Sequence, residues 1–332
     1  MSLFPQRRLR RLRKSEGIRK ILSENKVLPE DIMFPIFVWE GQTEEIKNFP
    51  DQVRWNIEDK KLYLFLEELV KRGLSSIIVF GVAQENQKDE IGSYGWKSDN
   101  VVQKFIKRVK REFPELVIAA DVCLCTWRKD GHCGVVKNGE ILNDESLELL
   151  GKIALSCAEA GADLVAPSDM MDGRVKFIRE KLDENGFKNT LIMSYSVKYA
   201  SALYGPFREA AHSAPAFGDR SSYQMNPSQS REAILEAQLD FEEGADILMV
   251  KPALFYLDII KSLKEKFLLP IAAFNVSGEY TMIKLGIKSE IFDERKIINE
   301  ALISIKRAGA DIIITYFAPE FFGVNVKKFL RK

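Results

Sequence analysis

Long apolar runs are missing from this chain. No stretch among its 332 residues approaches the roughly 18 that a membrane-crossing helix needs. Nothing like the apolar core of a signal peptide follows Met1. The expectation is a cytoplasmic protein with no membrane partner. An excess of one charge is missing too: 49 Lys and Arg face 48 Asp and Glu, a net +1, so there is no global case for nucleic acid. The two histidines are too few for a three-histidine zinc site. No Gly-x-Ser-x-Gly elbow offers a hydrolase serine, and no Gly-rich phosphate loop follows the first strand-like run. Four cysteines do not make a disulfide scaffold, and in a reducing compartment a cluster of them points to metal or catalysis.

What is present is a repeat of short β-branched runs. They fall at 34–39, 76–82, 117–124, 163–167, 191–197, 246–250, 270–276 and 311–316, and most are nearly continuously apolar, as strands buried on both faces are. Segments of helical spacing lie between them, among them LYLFLEELVKRG, VVQKFIKRVKREF, ESLELLGKIALSCAEAG and KIINEALISIKRAG. Three strands are entered alike, through AEAGADLV, FEEGADIL and KRAGADII, where Gly161, Gly244 and Gly309 suit a left-handed helix C-terminus. Eight such alternations predict a (β/α)8 TIM barrel over 30–332. An open doubly wound sheet is the alternative, disfavoured by the missing phosphate loop.

Two segments stand outside the repeat. The arm 1–29 carries eight Arg or Lys against one Glu in its first twenty residues. It reads either as a contact for a partner subunit, anchored by Leu3, Phe4, Leu9 and Leu12, or as a phosphate-binding arm. The Gly-, Pro- and Ser-containing stretch 204–227 reads as an active-site lid.

Active sites of barrels sit at the C-terminal ends of the strands. Read there, the third run supplies Asp121, Cys123 and Cys125, set on one face by the two-residue period. The fourth supplies Ser168, the fifth Lys198, the sixth Lys251, the seventh Ser277 and the eighth Tyr316. A lysine at the inner end of a strand loses solvation, and a second ammonium nearby lowers its pKa further, leaving a neutral amine that can form a Schiff base. Either lysine alone could instead snorkel to solvent. Cys123, Cys125 and Cys133 form C-x-C-x7-C: three thiolates with a fourth coordination position open suit a catalytic zinc better than a structural one. A Cys123–Cys125 disulfide would be strained. His132 adjoins Cys133 and would not reach the same ion, and Cys157 reads as core. Arg208 and Arg220 on the lid are forks for a carboxylate.

The motifs DVCLC…GHCG, APSDMMDGRV, MSYSVKYASALYGPFREAA, GDRSSYQMNP, LMVKPALFYLD, NVSGEY and IKRAGAD together resemble the 5-aminolevulinate dehydratase (porphobilinogen synthase) family over nearly the whole chain. That resemblance implies a barrel with an extended N-terminal arm, assembled from dimers into a homo-octamer, and condensation of two 5-aminolevulinate molecules to porphobilinogen in tetrapyrrole synthesis. It implies Lys251 as the imine-forming residue for the first substrate, on the P side, and Lys198 for the second, on the A side. Ser277 and Tyr316 would hold the P-side carboxylate, and Arg208, Arg220 and Gln224 the A-side one. Tyr204 and Phe207 would wall the pocket, with Asp121 and Ser168 near the reacting amines. The three cysteines group the chain with the zinc-using members, and Glu236 in REAILE matches the position of an allosteric magnesium in many relatives. A solvated helix carboxylate is the other reading of Glu236. The chain departs from the usual pattern at TWRKD, at NFPDQVRW, and at Ala216 and Ser221 around GDR.

Overall fold

Eight parallel strands close on themselves in this computed structural model, which describes residues 6–330. They are β1 Ile32–Trp39, β2 Ser76–Gly81, β3 Val117–Val122, β4 Leu164–Pro167, β5 Leu191–Lys198, β6 Ile247–Lys251, β7 Ile271–Asn275 and β8 Ile312–Thr315. Sequential strands are neighbours, and β8 returns to β1 with Ile32 opposite Ile313 and Met33 opposite Ile314. The barrel expected from the apolar runs is the barrel observed. β2, β6 and β7 are buried along their whole length, as parallel strands covered by helices must be.

The helices facing them are α1 Lys60–Lys71, α2 Val101–Glu112, α3 Asn143–Glu159, α4 Arg174–Glu184, α5 Arg231–Glu242, α6 Leu257–Lys266, α7 Ser277–Lys288 and α8 Glu294–Ala308. In α1, Leu62, Phe65, Leu66 and Leu69 repeat at three- and four-residue spacing and are buried against the strands. The Asp59 carboxylate accepts from the Lys61 amide at 3.0 Å and caps the start of this helix.

The three GAD turns do more than end helices. Gly161, Gly244 and Gly309 take φ values of 104°, 100° and 121°, which their lack of a Cβ permits. The following Asp then bridges two strands at the N-terminal end of the barrel. Asp163, Asp246 and Asp311 donate their amides to Ile118, Ile192 and Ile271 carbonyls at 3.0, 3.0 and 2.7 Å. Their carboxylates accept from the amides of the same three residues at 2.8, 2.7 and 2.8 Å. The repeated motif therefore clamps β3 to β4, β5 to β6 and β7 to β8, at the face opposite the strand ends that carry chemistry.

Three features differ from the expectation. The third strand ends at Val122, so Cys123 and Cys125 sit in a turn beyond it rather than on its pleat. The stretch 204–227 is not all loop: Gly205–Ala210 is a helix with Pro206 in its first turn. A hairpin, Val135–Lys137 with Glu140–Leu142, follows the cysteine loop. In the arm, Leu9 and Leu12 are 58% and 51% exposed; Leu3 and Phe4 lie outside the described residues.

Candidate active site

The C-terminal ends of β5 and β6 bring two lysines side by side. Lys198 and Lys251 are the last residues of their strands and are register partners across them. Both are 5% exposed. The Lys198 ammonium donates to the Ser168 carbonyl beyond β4. Lys251 Nζ lies among four aromatic rings, with centroid distances of 5.0 Å to Tyr195, 5.3 Å to Tyr204, 4.9 Å to Phe207 and 4.3 Å to Phe274. Burial, and then the Lys198 charge, pull the Lys251 amine down to about 7, against the opposing attraction of Asp121. Asp121 itself is pushed up to about 6 by burial, with a hydrogen bond to Ser168 and the two lysines acting the other way. The base of the pocket thus holds an amine and a carboxyl that both exchange protons near neutrality.

The thiol loop stands beside this pair. The Sγ atoms of Cys123, Cys125 and Cys133 lie within 4.8 Å of one another, and all three residues are buried. Thiolates about 2.3 Å from a tetrahedral zinc would be about 3.8 Å apart, so the three can meet one ion with small adjustment. Cys123 and Cys125 Sγ are 3.3 Å apart, too far for a disulfide, and both are free thiols. Hydrogen bonds from the other two thiols hold Cys133 well below the usual thiol range, while burial pushes Cys123 up. One proton leaves such a set readily, and the remaining ones need a cation. His132 is turned away from the cluster: Nδ1 is 3.1 Å from the Tyr223 hydroxyl and Nε2 is 3.1 Å from the Phe217 carbonyl. Because a carbonyl only accepts, Nε2 carries the proton and Nδ1 accepts from Tyr223. Cys157 is buried on α3, apart from the cluster, as a core residue.

The segment 204–227 packs against both. Helix Gly205–Ala210 presents Phe207 to Lys251, and Arg208 and Arg220 are close enough that each charge bears on the other. Arg220 donates to the Gly131 carbonyl at 2.9 Å and to the Ser213 carbonyl, and Ala216 donates its amide to the Asp130 carbonyl at 2.8 Å. A Cβ on Gly131 would stand 2.3 Å from the Ala214 carbonyl oxygen, so the lid rests directly on the thiol loop. Several buried polar atoms here have no partner: Arg208 Nε, Arg220 Nε, Ser213 Oγ and both amide atoms of Gln224. Each such group costs about 1–3 kcal/mol, which a carboxylate would offset for the N–H and O–H donors, while Gln224 Oε1 calls for a donor.

The opposite wall is less open. Tyr316 OH is buried without a partner. Ser277 Oγ instead accepts the Phe207 amide at 3.1 Å and donates to the Leu203 carbonyl at 3.2 Å. Tyr204 OH donates to the Tyr199 and Lys251 carbonyls at 2.8 and 3.2 Å, so it braces the Lys251 backbone as well as walling the pocket. Tyr195, Phe274 and Tyr223 are not singled out by sequence; Tyr195 lies three residues before Lys198, a spacing that a regular strand turns to the other face, and it reaches Lys251 where the β5–β6 register shifts.

Glu236 lies away from this centre, half-buried on α5, where burial and the carboxylates of Asp240, Asp172 and Glu232 raise it to about 7 against Arg174. Among the described residues it belongs to no compact group of three metal-ligating atoms. A cleft of about 1040 Å³ opens between α7, α8 and the segment after β8, but its Lys284 is paired with Asp51 and Glu320, and none of the site residues lines it.

Residues 6–324 match the family profile described as Delta-aminolevulinic acid dehydratase. The chain is 54% identical over 325 residues to the Methanothermobacter thermautotrophicus protein of that name, covering 97% of this chain and 98% of the relative. It is 51% identical over 315 residues to the Bacillus subtilis protein of the same name, covering 94% and 96%. The Toxoplasma gondii delta-aminolevulinic acid dehydratase, solved with its reaction product porphobilinogen, superposes with a TM-score of 0.94 at 41% identity, over 97% of this chain and 92% of that one. The buried lysine pair, the thiol triad and the arginine-bearing lid therefore sit on a chain that belongs to the delta-aminolevulinic acid dehydratase family of hydro-lyases.

Proposed function

We propose that the chain condenses two molecules of 5-aminolevulinate into porphobilinogen with loss of two waters, through Schiff bases on Lys251 and Lys198. The observation that carries this reading is the register pairing of two buried lysines under an aromatic and arginine-lined lid. Two identical ketones must be held differently if one is to attack the other, and the two lysines have different surroundings. Lys251, on the P side, faces aromatic rings, with Tyr316 and Ser277 to take its substrate's carboxylate. Lys198, on the A side, adjoins Ser168, with Arg208, Arg220 and Gln224 to clamp the second carboxylate. Ser277 serves in this role by exchanging its bond to Leu203.

The Lys251 amine, neutral in good part near pH 7, attacks the ketone carbon; water leaves and an imine remains. Asp121, its carboxyl lifted to about 6 by burial, takes and returns protons between the amines, with Ser168 beside it. The imine on Lys198 acidifies the neighbouring carbon, which adds to the P-side imine carbon. The P-side amino group replaces Lys198 on the A-side carbon to close the ring, and Lys251 leaves as the amine, so both lysines are returned and the two waters lost are those of imine formation. Tyr204 and Phe207 keep water from the Lys251 imine. Cys123, Cys125 and Cys133 would hold a zinc ion, which supplies a Lewis acid on the A side when bound.

We assign the arm 1–29 to subunit contacts in a homo-octamer built from dimers, with Leu9 and Leu12 as exposed anchors. Glu236 is assigned to an allosteric magnesium, and the enzyme to the cytoplasm, without nucleic-acid or membrane partners. Mixing the protein with 5-aminolevulinate and assaying for a pyrrole by its colour reaction tests the activity directly. Absence of pyrrole from zinc-loaded protein would end this reading.

A further inference from the structure

A buried carboxylate that takes no part in the chemistry ties together the three strand ends of the P side. Glu279, the third residue of α7, is fully buried, as are Asn275 and Thr315. Its Oε1 accepts the Leu254 amide at 2.7 Å, three residues beyond Lys251. Its Oε2 accepts the Val276 amide at 2.9 Å, immediately before Ser277, and the Asn275 Nδ2 at 3.0 Å. Asn275 Oδ1 accepts from the Thr315 hydroxyl at 2.9 Å, and Thr315 Oγ1 accepts the Phe317 amide at 3.1 Å, immediately after Tyr316. One continuous chain of hydrogen bonds thus runs from the backbone after Lys251, past Ser277, to the backbone after Tyr316.

A helix cap explains only one of these bonds. A carboxylate at the third helical position reaching back to the amide before the helix satisfies the helix's own donor, here Val276. It has no need of Leu254, from the loop after β6, or of Asn275 and Thr315, which pair β7 with β8. Every acceptor in the chain faces a donor, so the geometry is determined: turning any one amide or hydroxyl would leave a partner unsatisfied in a dry interior. Burial raises the Glu279 carboxyl to about 7, and the Val276, Leu254 and Phe255 amides and the Asn275 side chain oppose that rise. The position is therefore held by geometry and not by a free charge.

We infer that Glu279, with Asn275 and Thr315, is a positioning relay that sets the distance from the Lys251 amine to the carboxylate-holding Ser277 and Tyr316, and so selects a substrate whose ketone and carboxylate are that far apart. The inference rests on the imine reading above. It concerns the P side alone, because no member of the relay contacts Lys198, Arg208 or Arg220.

The test uses the metal-loaded enzyme and the variants Thr315→Val, which keeps shape and removes both hydrogen bonds, Thr315→Ser, which restores them, and Glu279→Gln. Borohydride trapping with 5-aminolevulinate, read by peptide mass spectrometry, reports imine on each lysine separately, alongside KM and kcat. Thr315→Val and Glu279→Gln should lose label at Lys251, with turnover down about 10²-fold, the scale of an ångström-sized displacement at a reacting centre. Label at Lys198 should persist, and Thr315→Ser should match the parent. Equal loss at both lysines, unchanged labelling in Thr315→Val, or failure of Thr315→Ser to rescue it would each overturn the relay. No label on Lys251 in the parent enzyme would instead overturn the imine reading, and the inference with it.

Discussion

Lys198 and Lys251 face each other as register partners at the last positions of neighbouring parallel strands. Adjacent strands run about 4.8 Å apart, so two ammonium groups rooted there in a buried pocket repel strongly, and one of them gives up its proton. The pH dependence follows. The neutral fraction of Lys251 should rise through a midpoint of about 7, and below it imine formation should fall about tenfold per pH unit. Replacing Lys198 with Met removes the second cation, so trapping at Lys251 should then need a higher pH. An unshifted midpoint in Lys198→Met would show that burial alone sets it. The fold carries the opposite side of the same linkage. Between about 7 and 10.5 the unfolded chain binds the proton that folded Lys251 has lost, so stability rises with pH across that window.

Chelation should remove turnover and leave the barrel. The thiol triad lies beyond the end of β3 and contributes nothing to the strand pairing, so far-UV circular dichroism should be unchanged when metal is stripped. Simultaneous loss of dichroism and activity would mark the site as structural.

Gly131→Ala should separate the lid from the thiol loop. The substitution places a methyl group 2.3 Å from the Ala214 carbonyl oxygen at a residue with φ of 68°. The lid must lift, taking with it Arg220, which donates to the Gly131 carbonyl. We expect kcat/KM to fall by about 10- to 100-fold, the loss of one or two charged hydrogen bonds to the substrate carboxylate, with a smaller change in kcat. A change confined to thermal stability would mean that lid contact does not govern substrate capture.

The barrel was legible because its strands are buried on both faces and its GAD turns repeat, and each strand lies within two residues of its expected bounds. The site was legible as far as strand ends are. Lys198, Lys251, Asp121, Ser168 and the cysteines converge because a parallel barrel brings all C-terminal ends to one rim. The hairpin after Cys133 carried its own signal in Asn138-Gly139, with φ of 54° and 82°, but its strands are three residues each and escape a search for long apolar runs. Glu279 was beyond sequence: its partners lie 25 residues away at Leu254 and, through Asn275, 40 residues on at Thr315. No local period encodes such a relay.

Asp246→Ala tests what the GAD motif does. Removing the carboxylate leaves the Ile192 amide without its side-chain acceptor at the face opposite the site. Stability should drop by about 1–3 kcal/mol while KM for 5-aminolevulinate stays as it was. A changed KM with unchanged stability would contradict a purely structural clamp.

Glu236→Ala addresses the magnesium assignment. Activity of the parent should rise with added magnesium, with a shift toward the larger assembly, and the variant should lose both responses. The same titration curve in the variant would remove Glu236 from any metal role.

The central claim is that Lys251 forms the imine with the first substrate. Zinc-loaded enzyme reduced with borohydride in the presence of 5-aminolevulinate should carry the substrate-derived mass on the peptide containing Lys251, and Lys251→Arg, which keeps a positive charge, should carry none there and be inactive. Label confined to other lysines, or substantial turnover by Lys251→Arg, would contradict it.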